Sequence, residues 1–391
     1  MDTRRPQDPR RTLTVFTNAL EYGGAEVQLV DLARRFKSRG WHVGVVSLFR
    51  PRVFLPELAA AGIDVRSLEF GDRRGGLLLA PRLAIAVYRL SRILREWQPD
   101  VLHCHMIPAN HIGRLARLLC RVPVLVCTAH NSIEGGLIRI LAYRATDPLC
   151  DLTTAVSRAA TERAIRDGRV PSDRALYVPN AVDTDRFSRD PEARRTLRAE
   201  LKVGDRFVWL AVGRYAPAKD WPNMLHAFRR ASESGPSSVL LVVGYGPLED
   251  EIKSLAARLG IAEHVRFLGV RSDVARLMSA ADAFLMSSER EAMPIVVLEA
   301  AASSLPIVAT DLAGIAEVVT DGRTGFLVPR QDSPALARAM RQLLEADEQT
   351  RLAMGAAGRV RVEEHFSLNR IVDRWEAIYA DLFKKNTGSV T

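Results

Sequence analysis

What the sequence lacks bounds the protein first. No stretch reaches the roughly 20 uncharged apolar residues that a membrane-crossing helix needs; the most apolar candidate, Gly75 to Val87, is broken by Pro81 and Arg82. Only 4 cysteines occur in 391 residues. These four, Cys104, Cys120, Cys127 and Cys150, show neither CxxC pairing nor the density of a disulfide scaffold, so buried reduced thiols are expected and zinc is not. Low-complexity tracts and short repeats are absent. No interleaving of aromatic and basic residues and no binding motif supports nucleic acid as a partner. The first residues, Met1 to Arg11, are polar, and the apolar run behind them reads as a strand rather than as the core of a signal peptide. Cytoplasmic residence is the expectation.

What is present suits two globular cores: 391 residues at 47% hydrophobic content exceed the usual size of one domain. The net charge is +9, and it is unevenly placed. Residues 1–185 hold 27 Lys and Arg against 19 Asp and Glu, while residues 186–391 hold 28 against 27. A basic first half favours an acidic partner such as a phosphorylated substrate or an anionic membrane surface. Arg114, Arg117 and Arg121 share one helical face, and Arg82, Arg89, Arg92 and Arg95 nearly do. They read first as solvated faces and second as a place to dock on anionic lipid.

Hydrophobic periodicity orders the chain. From Leu13 to Asn18 an apolar strand runs into the turn Gly23-Gly24 and then into the amphipathic stretch Glu26 to Lys37, closed by Gly40. Further strands are expected at Val43–Leu48, Val65–Leu68, Val101–His105, Val124–Thr128 and Leu152–Ala155, with a helix over Arg82–Glu96. A second series follows at Phe207–Val212, Val239–Val243, Val265–Phe267, Ala283–Met286, Ile307–Ala309 and Phe326–Val328. Alternating strands and helices imply α/β architecture with doubly wound parallel sheets, hence two Rossmann-like domains. The expected division is a first domain over 1–185, a charged linker over 186–205, a second domain over 206–366, and a helix within 367–391 that packs back on the first domain. Along that helix Ile371, Trp375, Ile378 and Leu382 share a face.

The segment richest in chemistry is Ser287 to Thr310. Glu291 and Glu299 lie eight residues apart around Ala292-Met293-Pro294 and the helical run from Ile295 and Val296 to Ala302. Pro294 fits a helix start. Such a helix presents free amides and the positive end of its dipole to an anion, a natural seat for a diphosphate. Glu291 would stand at its mouth, and Glu299, further along, could accept hydrogen bonds from paired ribose hydroxyls. Taken alone, two glutamates on a helix read more simply as surface carboxylates.

The run Glu291-Ala-Met-Pro-Ile-Val-Val-Leu-Glu299-Ala, followed by Leu305-Pro306-Ile307-Val308-Ala309-Thr310 and by Gly314 with Glu317, resembles the donor-site signature of retaining glycosyltransferase family 4. Gly23-Gly24-Ala25-Glu26, His103-Cys-His105, Val178-Pro179-Asn180, Gly213-Arg214 with Lys219-Asp220, Val243-Gly244 with Gly246, Phe267-Leu268-Gly269 and Asp321-Gly322 with Gly325 are similar to that family's landmarks and come in its order. The resemblance covers nearly the whole chain. It implies the GT-B fold, two Rossmann-like domains facing across a cleft. The donor is then held chiefly by the second domain, with the acceptor entering from the first.

Roles follow by the same resemblance. Arg214 and Lys219 match the pair that clamps the donor diphosphate; Gly23 and Gly24 match the first-domain loop near the phosphates. Gly244 and the backbone from Ala292 to Val296 fall in the donor site, and Val270 in the position that meets the base. His130 matches the histidine near the donor sugar. His103, His105 and Asn180 are acceptor-side candidates. The two histidines of His103-Cys-His105 are read as facing opposite sides of their strand, so that at most one reaches the site; a metal shared by them is rejected. Asp183-Thr-Asp185 imitates a metal-binding DxD motif but reads as a turn. Two departures, Ala292 and Ala313 where the family usually has glycine, fall where backbone meets the donor sugar and bear on donor preference.

The resulting expectation is a retaining, metal-independent transferase that moves a hexose or N-acetylhexosamine from a nucleoside diphosphate sugar, UDP-linked in preference, to a glycan or lipid-linked acceptor in cell-surface polysaccharide synthesis. No cofactor is expected. A nucleotide-sugar epimerase and a non-catalytic sugar-nucleotide-binding scaffold are the alternatives.

Overall fold

The computed structural model describes residues 11–71, 79–130, 137–233 and 237–388. The polar start Met1 to Arg10, Asn131 and the beginning of the apolar stretch at Gly75 lie outside the described residues. The chain divides into two compact units, residues 1–179 with 371–391 and residues 180–370.

Unit 1 carries seven strands: β1 (Thr12–Thr17), β2 (His42–Ser47), β3 (Asp64–Ser67), β4 (Val101–His105), β5 (Val124–Ala129), β6 (Leu152–Ala155) and β7 (Ala175–Tyr177). They form one parallel sheet in the order β3-β2-β1-β4-β5-β6-β7. Helices between the strands cover both faces, so the strands are apolar along most of their length rather than alternating. Phe16, Val46, Leu102, Cys104, Leu125 and Cys127 share a core with Leu90 and Leu94 of the helix Leu79–Trp97. Three of the four cysteines are buried and all four are free thiols. Strand β7 has no counterpart among the expected strands: three half-buried edge residues carry too little periodicity to show.

Unit 2 carries β8 (Phe207–Val212), β9 (Ser238–Val243), β10 (Val265–Phe267), β11 (Ala283–Met286), β12 (Ile307–Thr310) and β13 (Gly325–Val328). The order is β10-β9-β8-β11-β12-β13, again parallel throughout. Its core gathers Trp209, Leu225, Phe228, Leu240, Leu285 and Leu336. In both sheets the strand order reverses beside the first strand, between β1 and β4 and between β8 and β11. Sheets of this kind bind ligands outside the carboxyl ends of the strands at such a reversal.

Three sequence expectations need correction. The charged segment 186–205 is no linker: it contains the helix Pro191–Glu200, capped by Asp190, whose carboxylate accepts from the amides of Glu192 and Ala193. Arg194 and Arg198 both reach Asp282, at 2.6 and 3.1 Å, and Leu197 is buried, so the helix is part of unit 2. Its charge density resembled solvated chain only because the shared carboxylate lies far along the sequence. Next, the helix Ile107–Ala116 is not a basic outer face. Arg114 is 0% exposed, pairs with Asp147 at 3.2 Å and lies over the Tyr143 ring; Arg117 pairs with Asp151 at 2.9 Å, and Arg121 falls beyond the helix end. Lastly, the unit boundary comes at Pro179 and Asn180, earlier than residue 185. The C-terminal helix Leu368–Thr387 belongs to unit 1 from Ile371 onward, burying Ile371, Val372, Trp375 and Tyr379.

Candidate active site

In unit 2 two loops meet at the strand reversal. The loop leaving β8 passes through a short turn, Pro217–Lys219, to Asp220, which takes a left-handed φ of 46° and starts the helix Trp221–Ser232. The loop leaving β11 is laced to it. Ser287 Oγ donates toward the carbonyls of Lys219 and Asp220 at 3.0 and 2.8 Å, and Glu289 donates its amide to the Ala218 carbonyl at 2.9 Å. Thr310 Oγ1, at the end of β12, donates to the Ser288 carbonyl at 2.7 Å. This bracing places Lys219 Nζ 2.6 Å from Glu291 Oε1, which also accepts from Ser288 Oγ at 2.9 Å. Both side chains of the pair are partly buried, so the contact is less screened than a surface ion pair.

Arg214 sits in the same loop but is exposed, and its guanidinium has no hydrogen bond or ion pair among the described residues. Its charge is uncompensated and available to an anion. The helix Ile295–Ala302 begins after Pro294, whose extended backbone leaves the first amides of the helix without intrahelical partners. Nearly every residue of that helix is buried, and Glu299 is only 7% exposed, so it is not the surface carboxylate of the simpler reading. Ala292, Met293, Pro294 and Ile295 are buried and Val296 half-buried, while Val270 is exposed beyond the end of β10.

Backbone approaches here are too close for side chains. Gly244, at a φ of 151°, would set a Cβ 1.9 Å from the Gly213 carbonyl oxygen, and at Gly314 a Cβ would come within 1.6 Å of the Ala292 carbonyl oxygen. Asn180 was expected on the acceptor side. It belongs instead to unit 2 and donates from Nδ2 to the Met293 carbonyl at 2.8 Å, holding the loop that carries Glu291. Asp183 accepts from the amides of Asp185 and Arg186 and closes a turn.

In unit 1 Gly23 caps the helix Gly24–Ser38 in extended backbone at the carboxyl end of β1. Beside it, β4 and β5 carry a histidine array. His103 and His105 do not face opposite ways: side chains alternate residue by residue along a strand, so positions two apart share a face, and the two rings stand 4.0 Å apart. His103 is buried with Nδ1 2.6 Å from Tyr379 Oη and Nε2 2.7 Å from Thr128 Oγ1, which leaves it no access to an acceptor. His105 Nδ1 lies 2.9 Å from His130 Nε2. His130 Nδ1 is shielded and has no hydrogen-bond partner among the described residues.

Burial pushes His103 down to about 3 and His130 to about 4, and it also holds His105 well below the ordinary histidine value. The folded array is therefore neutral at pH 7, whereas in the unfolded chain these rings take protons near pH 6.5. A depressed folded pKa contributes stability above the unfolded value and loses it as pH falls. Thermal unfolding followed from pH 7 to pH 4 should show Tm dropping steeply below about pH 6.5, as stability falls by about 1.4 kcal/mol per pH unit for each ring that stays neutral. A His103→Asn variant should flatten that slope; an unchanged slope would count against the array as its source.

Sequence reasoning missed the roles of Ser287, Ser288, Thr128 and Tyr379, and saw Trp375 only as part of the apolar face of the C-terminal helix. Ser287 and Ser288 follow the end of β11 and Thr128 lies within β5, weak signals both, and the two aromatics come from the far end of the chain. Among the described residues no group of three or more His, Cys, Asp or Glu is placed to hold a metal ion. No described helix is long and apolar enough to cross a membrane.

Comparison with known proteins agrees with this arrangement. Residues 22–186 match the family model for glycosyltransferase family 4, and residues 193–361 match that for glycosyl transferases group 1. A GDP-mannose-dependent alpha-(1-6)-phosphatidylinositol monomannoside mannosyltransferase of Mycolicibacterium smegmatis is 32% identical over 311 residues, 76% of this chain and 78% of its own. An Escherichia coli UDP-Gal:alpha-D-GlcNAc-diphosphoundecaprenol alpha-1,3-galactosyltransferase is 25% identical over 310 residues, 75% of this chain and 78% of its own. Anabaena HepE, crystallised with UDP and glucose, superposes with a TM-score of 0.83 over 95% of this chain and 100% of its own, at 23% identity, which bears on the fold. With both family models matched in register, strand order of the doubly wound kind in each unit, and a relative above 30% identity along most of its length, the chain belongs to the family 4 glycosyltransferases of GT-B fold.

Proposed function

We propose that the protein transfers a hexose, with retention of anomeric configuration and without a metal ion, from a nucleoside diphosphate sugar to a lipid-linked or glycan acceptor in cell-surface polysaccharide or glycolipid synthesis at the cytoplasmic side of a membrane. The observation that carries the reading is the Lys219–Glu291 contact of 2.6 Å, with exposed Arg214 in the same loop, at the β8–β11 reversal. In this reading Arg214, Lys219 and the first amides of the helix Ile295–Ala302 hold the diphosphate. Glu299 accepts from ribose hydroxyls and the loop at Val270 meets the base. The Ala292–Val296 backbone and Gly244 shape the donor site, and Gly23 and Gly24 bring backbone amides to the phosphates.

The bond from the anomeric carbon to the diphosphate oxygen breaks, and its electron pair leaves with the nucleoside diphosphate. The acceptor oxygen attacks the same face, and its proton passes to an oxygen of the leaving phosphate. Fixed cations and helix-end amides aimed at that developing charge stabilise it without reorganisation. His130 contributes through Nδ1, to a sugar hydroxyl or to charge on the anomeric carbon.

The expected preference for UDP is balanced by relatives whose names include both GDP-mannose and UDP-Gal. Contact with a membrane rests on the helix Leu79–Trp97, which exposes Ile85 and Tyr88 beside Arg89 and Arg92, a mixture of apolar and basic side chains that suits an anionic lipid surface.

The test is turnover of UDP-, GDP-, ADP- and dTDP-sugars in EDTA, with a lipid-linked acceptor pool in anionic or neutral vesicles, reading released nucleoside diphosphate and the anomeric configuration of the product. One donor turning over in EDTA with retention, faster on anionic vesicles, is the expected result. An inverted product or a strict need for a divalent ion discards the mechanism, and epimerisation without acceptor would put the enzyme in a different class.

A further inference from the structure

The C-terminal helix Leu368–Thr387 does more in unit 1 than cover apolar surface. It brings Trp375 and Tyr379 against the histidine array from the opposite end of the sequence. Tyr379 Oη meets His103 Nδ1 at 2.6 Å, and the Trp375 ring lies 4.6 Å from the His103 ring. Trp375 and Tyr379 are themselves stacked at 5.6 Å, and Phe36 packs on Tyr379 at 5.8 Å. The helix is pinned in place by Arg39, which pairs with Asp373 at 2.5 Å and Glu376 at 3.0 Å, and by the Trp41 indole, which donates to Glu376 at 2.8 Å.

From that anchor the contacts run in one direction. His103 is gripped on both nitrogens, by Tyr379 and by Thr128, and Thr128 Oγ1 continues to Thr154 Oγ1 at 2.7 Å. Both partners are hydroxyls, which donate or accept, so the two contacts fix the orientation of the ring whichever tautomer it takes. The fixed His103 ring forms the wall against which His105 lies, 4.0 Å away and tilted by 33°. His105 Nδ1 in turn meets His130 Nε2, and of all these ring nitrogens His130 Nδ1 is a shielded one without a partner among the described residues. Its protonation, donor or acceptor, is the complement of what His105 imposes on Nε2.

We propose that Tyr379 and Trp375 are positioning residues for sugar transfer: through the packing of His103 on His105 they set the ring orientation of His130, and so the direction in which its Nδ1 is offered to the sugar. This rests on the reading of His130 as a residue that touches substrate. The neutral state of the whole array at working pH leaves orientation, rather than charge, as the controlled quantity.

Tyr379→Phe removes the hydroxyl and keeps the ring stacks. The expected result is a kcat lower by roughly ten- to a hundredfold, by analogy with the loss of a partner that orients a metal-bound histidine. The donor KM should hold, and the ring chemical shifts of His130 and His105, read by long-range ¹H–¹⁵N spectra, should change. A role confined to stability would lower Tm while leaving kcat, measured well below Tm, and those ring shifts as they were; that outcome overturns the inference. Should the variant fail to fold, Thr128→Val deletes the other grip on His103 and is held to the same criteria. His130→Ala separates the two levels of the claim. If it is inactive while Tyr379→Phe is fully active, the positioning role alone falls; if it retains full activity, His130 is not in the reaction and both readings fall.

Discussion

Replacing Lys219 by alanine should lower kcat/KM by roughly 10²–10³, the cost of deleting a preorganised group aimed at charge that develops in the transition state. Two effects combine. On the proposed reading the cation that holds the leaving diphosphate disappears, and the Glu291 carboxylate, 2.6 Å from Lys219 Nζ in the native protein, faces that diphosphate without its counterion. Part of the loss is therefore repulsion that a second change can relieve. Lys219→Ala with Glu291→Gln should be no slower than Lys219→Ala alone, although Glu291→Gln by itself should also reduce turnover. Steady-state rates on the four proteins of this cycle decide it. Losses that simply multiply would mean that the two residues act independently and that their contact is incidental to catalysis.

Gly314→Ala should be the most damaging single methyl group in unit 2. A Cβ there would lie 1.6 Å from the Ala292 carbonyl oxygen and 3.1 Å from the Met293 Cα. Both obstacles are backbone, and both belong to the loop that places Glu291 ahead of the helix Ile295–Ala302. A flexible side chain could swing aside; this loop is tied by Asn180 at the Met293 carbonyl and by Ser288 at Glu291, so it moves as a unit. Overpacking of this kind costs roughly 1–3 kcal/mol, and an ångström of displacement at a reacting centre costs about a hundredfold in rate. The expected protein is folded, with a lower Tm and kcat/KM down by about that factor. Wild-type turnover from a folded Gly314→Ala protein would show that the loop does not need this geometry. The usual family glycine at the place of Ala292 is compatible with the same contact, because residue 292 meets Gly314 through its carbonyl oxygen and not through its side chain.

Much of the architecture was legible along the chain because buried parallel strands are locally apolar. The runs at Val101, Val124, Phe207, Val239 and Ile307 announce themselves without reference to anything distant, and each lies within a residue or so of a strand in the structure. Elements whose character depends on remote partners were not legible. The helix Pro191–Glu200 looked like charged linker until Asp282 stood between Arg194 and Arg198, and the face containing Arg114 looked solvated until Asp147 and Tyr143 enclosed it.

The candidate site divides along the same line. Sequence by itself determined the kinds of residue at the strand ends: glycines where backbones crowd, Arg214 and Lys219 after β8, two glutamates around a helix start, and a histidine after β5. These are properties of short segments, set by local backbone preference and by the chemistry of single side chains. Only the tertiary structure decided which of them meet. It joined Lys219 to Glu291 across 72 residues, turned Asn180 from an acceptor-side candidate into a strut beneath the Glu291 loop, and closed Tyr379 onto His103 across 276 residues of chain. The reason is physical: a hydrogen bond or ion pair between distant residues leaves no periodicity in the sequence, since its partners are selected by where sheets and helices bring them and not by their spacing along the chain.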